Sequence, residues 1–133
     1  IREFLESVDH PAVGLHLDLM NMVDQQHYYR TTELIDQTFD LLWPYIGGVH
    51  FKDLLWDWRH MFLKFDEVPV GEGVLDYTTY VRRVAQLGVD DLTCYVEHFK
   101  TEEEFAISFE RLHRIAEELG TSFLPRAAAA VRS

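Results

Sequence analysis

Apolar residues along the chain follow two patterns that alternate with each other. Short continuous apolar runs, which are typical of strands buried on both faces, predict strands at 12–18, 47–52 and 91–99. Apolar positions three or four residues apart predict helices at 1–8, 31–43, 76–87 and 101–119. Because helices and strands alternate, the sequence predicts an α/β fold with a parallel sheet.

Polar and glycine residues support several of these helix ends. Asp76 is a favourable N-cap, and Gly88 lies where a helix commonly ends in a left-handed residue. Thr101 and Glu104 have the spacing of a capping box. By contrast, the first helix opens at Ile1 without a cap, which indicates that other residues precede it.

Residues 53–75 predict a long connection that carries the aromatic residues Trp56, Trp58 and Phe62. Connections of this length inside a compact domain usually have a function. We expect these aromatic side chains either to form one wall of a ligand site or to pack over the end of the sheet. After the last helix the sequence predicts an exposed tail, so we place one domain at 1–120 and the tail at 121–133.

Composition excludes several classes of protein. The chain has 133 residues, which suits one domain, and its formal net charge of −11 does not fit a nucleic-acid binder, because phosphate contacts need clustered Lys and Arg. No apolar run approaches the roughly 20 residues that a membrane span needs. Cys94 is the single cysteine, so there is no disulfide framework and we expect a reducing compartment such as the cytoplasm.

Ionisable residues stand at the end of each predicted strand. Asp18 closes the first strand, His50 lies near the end of the second, and Glu97 near the end of the third. Because the carboxyl ends of parallel strands meet at one edge, these side chains are expected to form a divalent-metal site. Each residue alone has a plainer interpretation: the acids as caps or loop residues, the histidine as a hydrogen-bonded structural group.

Three segments of the sequence resemble a known family. VDHPAVGLHLDLMNM (8–22), VHFKDLLW (49–56) and VPVGEGVLDYTTYVRRVAQLGVDDLTCYVEHF (68–99) are similar to the last three βα units of xylose isomerase-like TIM barrels. This family includes sugar phosphate isomerases and epimerases. The resemblance runs from about residue 1 to 119, and implies the C-terminal part of a (β/α)8 barrel, about three parallel βα units with a leading helix.

The resemblance also implies a set of metal ligands. Asp18, His50 and Glu97 match the second, third and fourth ligands of one divalent ion, which would be Mn²⁺, Mg²⁺, Co²⁺ or Zn²⁺. The first ligand, a glutamate, would come from a strand before Ile1. Glu97 would also be a catalytic acid/base.

Four further residues are candidates for binding substrate. Asn21 falls where relatives carry His or Asn near the metal, and Arg59 is a candidate for the substrate-binding arginine that follows the metal histidine in relatives. Lys52 and Asp53 lie two and three residues after the site histidine and would orient the site; their plainer interpretation is a surface ion pair.

The implied reaction is proton transfer next to the carbonyl of a sugar or related polyol, through an enediolate. The expected partners are this small molecule and either a homo-oligomer or the missing barrel half, with no nucleic acid and no membrane. Endonuclease relatives need an Asp-x-His pair after the third family strand, and Asp66 has no histidine two places later. A half-barrel without turnover, or dehydratase or lyase chemistry on the same scaffold, is the alternative.

Overall fold

The computed structural model describes residues 1–62 and 64–124. Within these residues the helices are α1 (Arg2–Val8), α2 (Thr31–Leu42), α3 (Tyr77–Gln86) and α4 (Glu102–Glu118). The strands are β1 (Leu15–Leu17), β2 (Ile46–Phe51), β3 (Asp53–Trp56), β4 (Phe65–Val68) and β5 (Thr93–Val96). Short 3₁₀ turns occupy Met20–Met22 and Trp43–Tyr45. Within the described ranges, no helix is both long and apolar enough to cross a bilayer.

The central sheet is parallel, as the alternation of elements predicts. Its strand order is β1-β2-β5, with His16 opposite Gly48 and His50 opposite Tyr95. One face of this sheet carries Leu17, Val49 and other apolar side chains, which pack under α2, α3 and α4 in the main core. The opposite face carries no helix among the described residues, and the side chains of His16 and Tyr95 are exposed on it.

The predicted helix ends are confirmed. The Asp76 carboxylate accepts a hydrogen bond from the backbone N–H of Thr79 at 3.0 Å, and Thr101 and Glu104 form a reciprocal capping box. Gly88, directly after the C-cap of α3, has φ +64°, the left-handed conformation that glycine adopts without a Cβ penalty. In α1, however, only Leu5 is buried, so most of its predicted apolar face is exposed.

The prediction of a long connection at 53–75 was wrong. β3 and β4 form an antiparallel hairpin, with Leu54 opposite Glu67 and Trp56 opposite Phe65. A single residue, Lys52, separates the end of β2 from the start of β3. The chain therefore leaves the central sheet at Lys52 and immediately starts a second, two-stranded sheet. The predicted tail falls mostly on residues 125–133, which lie outside the described residues, and the domain limit at residue 120 stays a prediction.

Asp53 connects this hairpin to the following loop. Its carboxylate is fully buried and accepts hydrogen bonds from the backbone N–H groups of Leu54, Gly71, Gly73 and Leu75, at 2.9 to 3.1 Å. Burial raises the pKa of Asp53, and the four N–H donors act in the opposite direction by stabilising the carboxylate. The loop at 69–75 is therefore folded around one buried acid, and it leads directly into α3.

We predict that Gly73→Ala destabilises the fold by about 1–3 kcal/mol, the usual cost of overpacking a buried position. A Cβ at residue 73 would overlap the carboxylate of Asp53 and the carbonyl oxygen of Leu54. Gly47→Ala is the matched control, because a Cβ there meets nothing within 4 Å. Urea unfolding measures both variants. Equal free energies of unfolding for the two would contradict the packing around Asp53.

Candidate metal site

The structure brings the three strand-end residues together. Asp18 directly follows β1, His50 lies in β2 and Glu97 directly follows β5, and each offers a ligand atom within 4.8 Å of the other two. The Nδ1 atom of His50 lies 2.5 Å from Oε1 of Glu97 and 3.7 Å from Oδ2 of Asp18. The side chains of Asp18, His50 and Glu97 are 15%, 23% and 28% exposed, so a solute can reach them.

One atom of this cluster lacks a partner. Oδ1 of Asp18 is buried and accepts no hydrogen bond from the residues that the structure describes. Its other oxygen, Oδ2, accepts from Nδ2 of Asn21 at 2.7 Å and lies 2.8 Å from Nζ of Lys52. A buried carboxylate oxygen without a partner is costly, and a cation would satisfy it. The two carboxylates and one imidazole therefore fit a divalent ion.

Lys52 lies inside the acidic cluster. Its side chain is only 4% exposed, and Nζ is 3.3 Å from Oε1 of Glu97 and 3.9 Å from Oε1 of Glu67, in addition to its contact with Asp18. Burial lowers the pKa of Lys52, but the hydrogen bond and charge of Asp18, followed by those of the two glutamates, outweigh burial and raise it. Lys52 is thus a buried ammonium that holds the carboxylates in place. The formal charges of Asp18, Glu67, Glu97 and Lys52 sum to −3 + 1 = −2.

Two residues that the sequence analysis did not single out, Glu67 and His98, extend the cluster. Glu67 lies on β4, and Nδ1 of His98 is 3.0 Å from Oε2 of Glu67 and 3.4 Å from Nζ of Lys52. His98 has φ +67°, a left-handed conformation uncommon outside glycine. The position of His98 directly after Glu97 could have predicted that it belongs to the cluster. The sequence could not predict this for Glu67, because its contact depends on the β3–β4 hairpin.

The four candidate substrate-binding residues separate into two groups. Asn21 and Lys52 contact Asp18, so both are near the predicted ligands, and their role in substrate binding stays a prediction. The structure does not support that role for Asp53, because four backbone N–H groups occupy its buried carboxylate. Nε of Arg59 lies 2.9 Å from Oδ1 of Asp57, and the role of this exposed guanidinium in substrate binding stays a prediction.

The sequence matches the xylose isomerase-like TIM barrel family over residues 1–124. The chain belongs to this family. A search of curated proteins finds no match. The match extends over all of the described residues, including Asp18, His50 and Glu97.

Two solved structures share the fold of this xylose isomerase-like chain. A xylose isomerase domain protein from Planctomyces limnophilus is 23% identical, with a TM-score of 0.68 over 89% of this chain and 43% of that one. A xylose isomerase-like TIM barrel protein from Mycobacterium smegmatis, solved in complex with magnesium, is 24% identical, with a TM-score of 0.62 over 85% and 37%. The chain spans less than half the length of each, and its parallel α/β fold corresponds to part of a TIM barrel.

The contact between Arg59 and Asp57 in this xylose isomerase-like chain leads to a prediction about the pKa of Asp57. The Arg59 hydrogen bond lowers the pKa of the Asp57 carboxylate to about 2. The contribution of the Arg59–Asp57 pair to the stability of the fold is therefore fully present above the ordinary aspartate pKa of about 3.9, and it is lost as the pH falls towards 2. Arg59→Ala should raise the pKa of Asp57 towards its ordinary value, measured by an NMR titration of the side-chain carboxyl carbon.

Lys64→Ala is the control for this titration, because Nζ of Lys64 is 3.7 Å from Oδ2 of Asp57 and does not provide the main hydrogen bond. We expect this variant to shift the pKa less than Arg59→Ala does. If Arg59→Ala leaves the pKa of Asp57 unchanged, Arg59 is free of Asp57 and available for another partner.

Proposed function

We propose that this chain carries most of the active site of a divalent-metal-dependent isomerase or epimerase. The substrate would be a sugar or a related polyol or keto compound, and the reaction would transfer a proton next to its carbonyl. One observation carries the proposal: Asp18, His50 and Glu97 converge at the carboxyl edge of a parallel sheet in a xylose isomerase-like chain. In TIM barrels that edge is where active sites lie.

The ion would be held by Oδ1 of Asp18, by the His50 imidazole and by Glu97. The unpartnered Oδ1 atom supports this assignment, since the other oxygen of Asp18 is already engaged by Asn21 and Lys52. A bound divalent ion would supply Lewis-acid stabilisation of the negative charge that develops on substrate oxygens. The donor set suits Mn²⁺, Mg²⁺, Co²⁺ or Zn²⁺, and the magnesium in the M. smegmatis structure supports a divalent ion of this kind.

Glu97 is the residue that we propose moves the proton. Its Oε1 atom contacts both His50 and Lys52, which fix the direction of the carboxylate. The Oε2 atom is held less closely than Oε1, since its contact with Nε2 of His98 is 3.7 Å long. Of the three proposed ligands, Glu97 also has the most exposed side chain. Oε2 is therefore the atom that would take a proton from a substrate carbon and return it.

Epimerisation needs a second acid/base on the opposite side of the carbon. In this proposal it is the family's first glutamate, which would come from outside the 133-residue chain. The face of the central sheet that no helix covers within the described residues, together with the edge strands β1 and β5, supports an association with the remaining part of a barrel or with a second copy. Since Cys94 needs no disulfide partner, a cytoplasmic location is part of the proposal.

We predict that His50→Ala removes both the metal and the activity. The test uses the natural protein, expressed from its whole reading frame. Its metal is removed with a chelator, and Mn²⁺, Mg²⁺, Co²⁺ or Zn²⁺ is then added back. Hydrogen exchange into free and phosphorylated ketopentoses and ketohexoses in D₂O is followed by NMR. Because His50 is a direct ligand, its loss should weaken metal binding by more than the roughly 10- to 100-fold that outer-shell changes cost.

His27→Ala is the matched control, since His27 also contacts an aspartate, with Nδ1 2.7 Å from Oδ1 of Asp24, but does not belong to the metal cluster. This variant should keep metal and exchange at wild-type values. Retention of both by His50→Ala would remove His50 from the site and with it the basis of the proposal.

Glu97→Gln separates metal binding from proton transfer. The amide oxygen of Gln can still contact an ion, but the amide cannot accept the substrate proton. We therefore predict that exchange falls by about 10²- to 10⁴-fold, the usual contribution of a general acid/base, while metal binding falls much less. Metal titrations and the NMR exchange rate provide the two values. Wild-type exchange in this variant would show that another residue moves the proton.

A further inference from the structure

His16 packs against the proposed metal ligand His50. It lies on β1 two residues before Asp18, so both side chains project from the same face of the strand. The ring centroid of His16 is 4.1 Å from that of His50 and 5.1 Å from that of Tyr95, and the His50 and Tyr95 centroids are 5.7 Å apart. Three rings from three neighbouring strands therefore touch on the face of the sheet that none of the described helices covers.

Gly48 provides the space for the His16 ring. The two residues are opposite each other in the pairing of β1 with β2. A Cβ at residue 48 would lie 3.3 Å from Cε1 and 3.4 Å from Nε2 of His16, and 3.3 Å from the backbone carbonyl oxygen of Thr93, which is tighter than nine in ten real Cβ contacts. A glycine inside a strand weakens the strand, and its presence often marks a close approach by another group. Here the approaching side chain is the imidazole of His16, beside the backbone carbonyl of Thr93 on the neighbouring strand β5.

Ring contact of this kind controls where the nitrogens of His50 point. Rotation about the terminal torsion of histidine is broad, so the ring direction depends on its neighbours. In the structure Nδ1 of His50 faces the carboxylates of Glu97 and Asp18, while His16 and Tyr95 pack on the ring. Ligand imidazoles need such fixed directions, which surrounding residues usually supply.

We propose that His16 is a positioning residue, which fixes the His50 imidazole by packing on it, in the space that Gly48 leaves open. The metal-binding consequence rests on the proposed function, whereas the effect on the direction of His50 does not. The packing depends on the flat ring of His16 and not on its nitrogen atoms.

Co²⁺ binding tests the consequence for the metal. In the protein as it is made in the cell, His16→Ala and His16→Gln should weaken Co²⁺ binding by about 10- to 100-fold and change the visible absorption of the Co²⁺ complex. His16→Phe keeps a flat ring without nitrogens and should restore most of the affinity and the spectrum. If His16→Phe binds Co²⁺ as weakly as His16→Ala, a nitrogen of His16 is required and the proposal is overturned.

A double-mutant cycle tests the role of Gly48. Gly48→Ala should weaken Co²⁺ binding by displacing the His16 ring, whereas the neighbouring Gly47→Ala should not, since a Cβ at residue 47 meets nothing within 4 Å. In a His16→Ala background, Gly48→Ala should have less additional effect on Co²⁺ binding, because the ring is gone and only the close contact with the Thr93 carbonyl remains. Additive effects of the two changes would overturn the assignment of this space to His16.

A metal-free measurement separates this inference from the proposed function. In wild-type protein, NOEs between the ring protons of His50 and Tyr95 should be present, and they should weaken in His16→Ala and persist in His16→Phe. Unchanged NOEs in His16→Ala overturn the positioning role whatever the metal result. If the wild type binds no Co²⁺ while the NOEs respond as expected, the proposed function fails and the positioning of His50 by His16 stands.

Discussion

Lys52 and Asp53 are adjacent charged residues at the junction between β2 and β3, and both are buried. Each burial would be costly alone, and each is satisfied by a different part of the structure. The Lys52 ammonium contacts the carboxylates of Asp18 and Glu97 at the end of the central sheet. The Asp53 carboxylate accepts hydrogen bonds from four backbone N–H groups, one in its own strand and three in the loop at 69–75. The site and the loop beside it are therefore organised from one pair of neighbouring residues.

This arrangement also explains why the hairpin belongs to the site. Because Asp53 starts β3 directly after Lys52, the returning strand β4 passes close to the acidic cluster and brings Glu67 to Lys52 and His98. At the base of the cluster, the hydroxyl of the buried Tyr80 donates to the backbone carbonyl of His50 at 2.9 Å. The end of β2 is thus held by helix α3 on one side and by the hairpin on the other.

The sequence predicted the elements that depend on local chemistry. Strand ends, helix caps and the convergence of Asp18, His50 and Glu97 follow from residue type, spacing and the geometry of parallel strands. The sequence did not predict the hairpin, because the acids of β4 are unlike the apolar residues of a typical strand. Nor could it assign opposite directions to Lys52 and Asp53. His16 was missed although its spacing from Asp18 placed it on the site face.

The two faces of the central sheet differ in a way that bears on function. The helix-covered face carries apolar residues such as Leu17, Val49 and Phe51, which suit permanent packing. The open face carries His16, His50 and Tyr95, and the acids Asp18 and Glu97 lie at its carboxyl end. A face meant only to pack against another sheet would be apolar, because unpaired imidazoles and carboxylates are costly to bury. This face therefore carries the imidazole and carboxylate side chains that the proposed ion site requires.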